Sequence, residues 1–277
     1  MTDPQITFSR RAITRTLVVA TAIILLLSVA GQLWLYLTPR ESPWGIVGLF
    51  NVDFEMNVPT FYQVLVLLVA VFLLGIIAIL KRQARAPYVL HWWILALGFF
   101  VIANDEFYAL HERLSEPIRR WLDLETMGVL HFAWVIPAFV LVAVLALWYL
   151  PFLKHLDRST RTRFFVAALV YLGGALGVEL IGGRYAEAHG TWNLTYSMIT
   201  TVEEGMEKFG SVIFVDALLR YLEDEYGAVR MAFTARGRGH ADVRVSMPEA
   251  PLVYRDRHRA DAREGLQVVE DDLDVRR

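Results

Sequence analysis

The 277-residue chain contains no cysteine. That excludes disulfides, thiolate metal centres and cysteine nucleophiles, and restricts any metal to oxygen and imidazole donors. It also lacks an excess of either charge. Lys and Arg total 27 against 29 Asp and Glu, a net charge of −2, so nothing argues for a nucleic-acid partner. No internal repeat stands out. What the chain has in excess is apolar sequence: it is 56% hydrophobic with a mean hydropathy of +0.41, where ordinary soluble domains are about 45–50% apolar. Long apolar runs recur, the pattern of a polytopic membrane protein.

Six runs are expected to cross the bilayer as helices: 17–37, 61–80, 88–112, 129–152, 164–183 and 197–221. The expected fold is all-α, with a cytoplasmic N-terminus over 1–15, a six-helix transmembrane domain over 16–222 and a charged, disordered cytoplasmic tail over 223–277. The first run is too long for a signal peptide, because it continues past the small residues Ser28 to Ala30 through Leu33 to Leu37. Pro137 is expected to kink the fourth run. Gly173, Gly174, Gly177, Gly182 and Gly183 give the fifth run a surface that neighbouring backbones can approach closely. Residues 113–128 read as an amphipathic connection along the interface. The segment Asn51 to Pro59 reads as a solvated loop; the competing reading is a re-entrant lid that points a carboxylate such as Glu55 at the bundle.

Charge sets the orientation. The N-terminus, 81–85, 154–163 and the tail are rich in Lys and Arg, which places both termini in the cytoplasm and the chain in an inner (plasma) membrane. Four runs then bring polar groups to one depth in the outer half: Asn104 to Glu112, His131, Glu179, and Glu203 to Glu207.

At about 100° per residue, Asn104, Asp105, Tyr108, His111 and Glu112 share one face of a continuous helix, whereas Glu106 falls on the opposite side with Arg113. Glu203, Glu204 and Glu207 share a second face. A charge at a helix centre costs roughly 2.5–3.5 kcal/mol on insertion scales, so these acids should face one another, water or a cation. Lys208 and Arg184 are the nearby counter-charges, and two bases do not balance the acids. A divalent metal (Zn, Mn, Fe or Mg) or shared protons would restore the balance. The candidate ligands are Asp105, His111, Glu112, Glu179, Glu203, Glu204 and Glu207, supported by Asn104, Tyr108, His131 and Glu55.

Three functions follow. One is a buried metal site, open to catalysis by a metal-bound water or a redox metal. The second is an ion- or proton-coupled transporter, for which Asp216 is an inner-half relay that lies off the acidic face. The third is a non-enzymatic subunit or assembly factor whose arginine-rich tail docks a cytoplasmic protein, with a short partner motif around Leu252 to Tyr254. Homo-oligomerisation is left open. The Glu-x-x-His pair of ferritin-like di-iron proteins and the His-Glu-x-x-His of zinc peptidases are both absent.

The motifs Asn57-Val-Pro-Thr60, Asp105-Glu106 with His111-Glu112, and Glu203-Glu204 with Glu207 and Gly210 resemble a family of uncharacterised bacterial multi-spanning membrane proteins. The resemblance covers roughly residues 45–222 and implies no particular activity.

Overall fold

A computed structural model of the chain describes residues 9–38, 45–123, 128–227, 230–236 and 240–246. The proposed motif at Leu252 to Tyr254 lies outside them. Through residue 227 the described chain is helical: α1 Arg10–Leu37, α2 Ile46–Phe50, α3 Val58–Gln83, α4 Val89–Tyr108, α5 Leu110–Leu122, α6 Val135–His155, α7 Arg158–Leu172, a π-helical stretch Gly173–Val178, α8 Glu179–His189 and α9 Leu194–Tyr226. A hairpin of β1 Arg230–Arg236 and β2 His240–Ser246 follows, antiparallel, with Arg230 opposite Ser246.

Local chemistry sets several boundaries. Asn57 caps α3 by accepting the Thr60 N–H at 3.2 Å, with Pro59 in the first turn, where its missing donor costs nothing. Asp157 caps α7 by accepting from the N–H groups of Ser159 and Thr160. Pro137 produces no kink. α6 begins at Val135, so the proline sits in the first turn, where no i−4 bond is broken. α4 ends at Tyr108 rather than running on to Glu112. Ala109 takes a left-handed conformation (φ 47°, ψ 48°), and α5 starts in a new direction.

Five helical segments are long and apolar enough to cross a bilayer: Arg10–Leu37, Val58–Gln83, Val89–Tyr108, Val135–His155 and the combined Arg158–His189. This is the helix complement of a membrane protein. α9 is long enough, its 33 residues rising about 50 Å, but its acidic half keeps it out of that apolar set.

α9 is nevertheless central to the bundle. Lys208, Ser211, Val212, Val215 and Leu218 are all buried. α1 runs antiparallel to it, tied by Ser197 to Tyr36, Thr201 to Gln32 and Asp216 to Arg10. Phe99 of α4 stacks on Phe214 at 4.5 Å, and Phe164 of α7 meets the same ring at 5.1 Å. Gly210 lies so close to α7 that an added Cβ would stand 2.6–2.7 Å from the backbone of Tyr171; Gly174 is equally tight against the Glu203 carbonyl.

Candidate functional site

Five elements converge on the acidic half of α9. From α9 itself, Lys208 forms an ion pair with Glu204 one turn away, the lysine fully buried. Glu207 lies in the field of Glu204, Glu106 and Lys208. Glu203 hydrogen-bonds through its side chain to Glu179 at the start of α8. Two carboxyl groups brought together repel when both are ionised and attract when one of them holds a proton. Trp134, just before α6, donates from Nε1 to Glu179 Oε1 at 2.9 Å.

The α4–α5 break completes this side. The His111 backbone N–H donates to Asp105 Oδ1 at 2.8 Å, and His111 Nδ1 shares a hydrogen bond with Asp105 Oδ2, also at 2.8 Å. Asp105 thus secures both the bend and the imidazole. The His111 ring packs on Trp134 with centroids 4.7 Å apart. A chain of contacts therefore runs Asp105, His111, Trp134, Glu179, Glu203. Burial works against an imidazolium, but the Asp105 bond and the nearby Glu112 and Glu179 charges prevail and push His111 up to about 9.

The break also changes which residues face inward. Glu106 was assigned to the outside by extending one helical phase through Glu112. In the fold it interacts with Glu204, Lys208, Glu55 and His111, and so belongs to the cluster. Angular bookkeeping fails here because α4 stops before His111.

The segment after α2 also departs from the solvated-loop reading. Asn51, Val52 and Asn57 are buried. Gln32 of α1 donates to Ser28 Oγ and Asn51 Oδ1 and accepts from Thr201 of α9; Ser28 Oγ accepts the Val52 N–H; Asn57 donates to the carbonyls of Gly48 and Asn51. Fixed in this way, the loop presents two carboxyls to the cluster. Asp53 accepts from Thr200, and burial together with the Glu204 and Glu112 charges pushes it up to about 6. Burial, with Glu112 and Glu204, pushes Glu55 up to about 7 against the opposing pull of His111 and Lys208.

The remaining candidates stand apart. Asn104 donates to the Phe100 carbonyl one turn back, a local bond. Tyr108 is half exposed, against Phe107. His131 packs on Phe132, with Nδ1 3.7 Å from Glu187, away from the carboxyl chain. Glu112 is exposed, although its charge reaches His111, Asp53 and Glu55; Arg184 is exposed, and Asp216 is held by Arg10 and Thr14, each at 2.7 Å. Among the described residues, no three His, Asp or Glu side chains are disposed to hold a metal ion. Tyr171, facing Glu207 and Glu106, and Trp134 were missed; their aromatic type blended with interface-belt residues, and only Tyr171's place beside Gly173 and Gly174 offered a signal.

No curated protein and no solved structure matches the chain. A family model described as a domain of unknown function (DUF8692) matches residues 11–222. The chain belongs to that family, and the matched segment runs from the first turn of α1 to the last turns of α9.

Proposed function

We propose that this family member is an ion- or proton-coupled inner-membrane protein whose working part is a carboxyl network that binds and releases protons. Glu106, Glu179, Glu203, Glu204 and Glu207 form it, with Lys208 and His111 as counter-charges and Asp53 and Glu55 as its outlet. What supports this reading is the meeting of the Glu179 and Glu203 side chains from two helices of the bundle, an arrangement that is favourable when one proton lies between them. Lys208 with Glu204 and Asp105 with His111 supply further internal compensation. These bases offset part of the negative charge of the cluster, and shared protons offset more.

The arrangement supports access from the loop side. Toward the other end, Asp216 is committed to Arg10 and Thr14, and the rings of Trp92, Phe99, Phe164 and Phe214 fill the space. In this reading α9 is a sixth span and both termini are cytoplasmic.

The test is a potentiometric proton count on protein purified in mild detergent. Between about pH 9 and pH 6, where ordinary carboxyls stay ionised, wild type should take up at least one more proton per chain than the Glu203→Gln, Glu207→Gln double variant. Equal proton counts in two equally folded proteins would overturn the reading. Metal analysis of the same wild-type preparation separates the divalent-ion alternative: stoichiometric metal, lost in the variant, would replace this proposal.

A further inference from the structure

Beside the proton network, at its loop-side mouth, is a pocket of about 210 Å³ with a different character. Four of its lining residues are aromatic: Tyr36 from α1, Phe54 from the loop, Trp192 from the α8–α9 connection and Tyr196 from the first turn of α9. Asp53 supplies a carboxyl, and no lining residue is basic. The geometry points to a binding site for a small alkylammonium ion, a cation carrying its own apolar surface.

The argument rests on complementarity. Aromatic faces attract cations through their negative quadrupole, and rings grouped around a carboxylate are the recognised means of holding quaternary ammonium groups. A hard divalent ion would gain nothing from the rings and would find one carboxyl among neutral donors, the Asn51 amide and the hydroxyls of Tyr36, Thr191 and Tyr196. An anion would meet Asp53. The volume lies below the roughly 300–1,000 Å³ of pockets for drug-sized ligands, so the occupant has few heavy atoms.

The walls are built in. Tyr196 is buried, its backbone N–H donates to Asn193 Oδ1, and its side chain hydrogen-bonds Thr200, the residue that also bonds Asp53. The Tyr36 hydroxyl accepts from Ser197 Oγ at 3.2 Å. Asn51 is fixed by Gln32. Trp192, by contrast, is 79% exposed. A tryptophan there is ordinarily an interface anchor. Here it lines the same pocket as a carboxyl with no base beside it, which an anchor does not require. Asp53 faces Glu204 of α9, Glu112 of α5 and the Tyr196 hydroxyl; a cation at the pocket relieves that repulsion. The site does not depend on the network moving protons, because equilibrium binding reads it alone.

Titration calorimetry on the full chain in detergent tests it with choline as probe, its uncharged isostere 3,3-dimethyl-1-butanol as control, and ionic strength held constant. Choline should bind saturably, the alcohol at least tenfold more weakly. Asp53→Asn should weaken choline binding at least tenfold. Trp192→Ala should weaken it severalfold with no change in melting temperature, since the ring is exposed; this arm keeps the test valid if Asp53→Asn misfolds. Absence of saturable choline binding, equal binding of the alcohol, or unchanged binding in a folded Trp192→Ala variant would each overturn the site.

Discussion

α6 and α9 invert the usual relation between apolarity and burial. α6 is apolar throughout, yet only 11% of its most apolar stretch is buried. α9 fails the apolarity test for a span, yet carries Lys208, Val212, Val215 and Leu218 at 1% exposure or less. α3 sharpens the point: it has the highest hydropathy of the five, 3.1, and 56% of its window is buried. Apolar side chains are stable in lipid or in protein, so apolarity says that a helix is in the membrane but not where. Polar side chains are restricted to the interior, so the polar helix marks the core.

The comparison can be broken most forcefully at Gly210. Gly210→Val pushes a side chain into the Tyr171 backbone, which cannot yield as a flexible side chain would. We expect no monodisperse protein by fluorescence-detected size-exclusion chromatography. Gly98→Ala on α4, with open space around it, should give wild-type yield. If Gly210→Val elutes normally, α9 and α7 are not packed as described.

Next in size is Lys208→Met. It strands the Glu204 carboxyl, which keeps some exposure, so the cost stays at or below the about 3–5 kcal/mol of breaking a fully buried pair. Lys208→Met with Glu204→Gln should recover most of the loss in thermal melts; no recovery would mean that Lys208 serves other partners. Asp216→Asn, at the partly exposed pair with Arg10, should cost only about 1–2 kcal/mol and leave choline binding unchanged.

The pH dependence has one sign. Asp53 and Glu55 rise from 3.8 and 4.5 to about 6 and about 7, so between the unfolded and folded values the folded state holds more protons, and stability falls as pH rises. His111, raised from 6.5 to about 9, adds stability that is complete below 6.5 and lost as pH rises through 9. Melting temperature should therefore fall continuously from about pH 5 to about pH 9. Asp53→Asn with Glu55→Gln should flatten the lower part of that slope. The smallest effect belongs to α6: Val144→Leu on its exposed face should change stability by less than about 0.5 kcal/mol.

Much of this architecture was legible as sequence, for physical reasons. The apolar runs are legible because a span needs about 20 apolar residues in sequence, and that acids of α8 and α9 meet is legible because polar groups in lipid are costly. The details that escaped depend on a single backbone event or on tertiary hydrogen bonds. Ala109 adopts a left-handed conformation in a residue type that gives no warning of it, and this frees His111 and Glu112 from the helical phase that would put Glu106 on the opposite side. The loop carrying Asp53 and Glu55 looked solvated because its anchors, Asn51 and Asn57, are polar. They are buried by partners on α1 and the α2 end that no local pattern reveals. The hairpin after α9 forms from Arg230–Arg236 and His240–Ser246, where no sustained periodicity was read.

The most direct test of the account is the infrared difference spectrum of wild type against Glu203→Gln at neutral pH. A proton shared between Glu179 and Glu203 predicts a protonated-carboxyl C=O band in wild type that the substitution removes. A wild-type spectrum with no protonated carboxyl at neutral pH would contradict it.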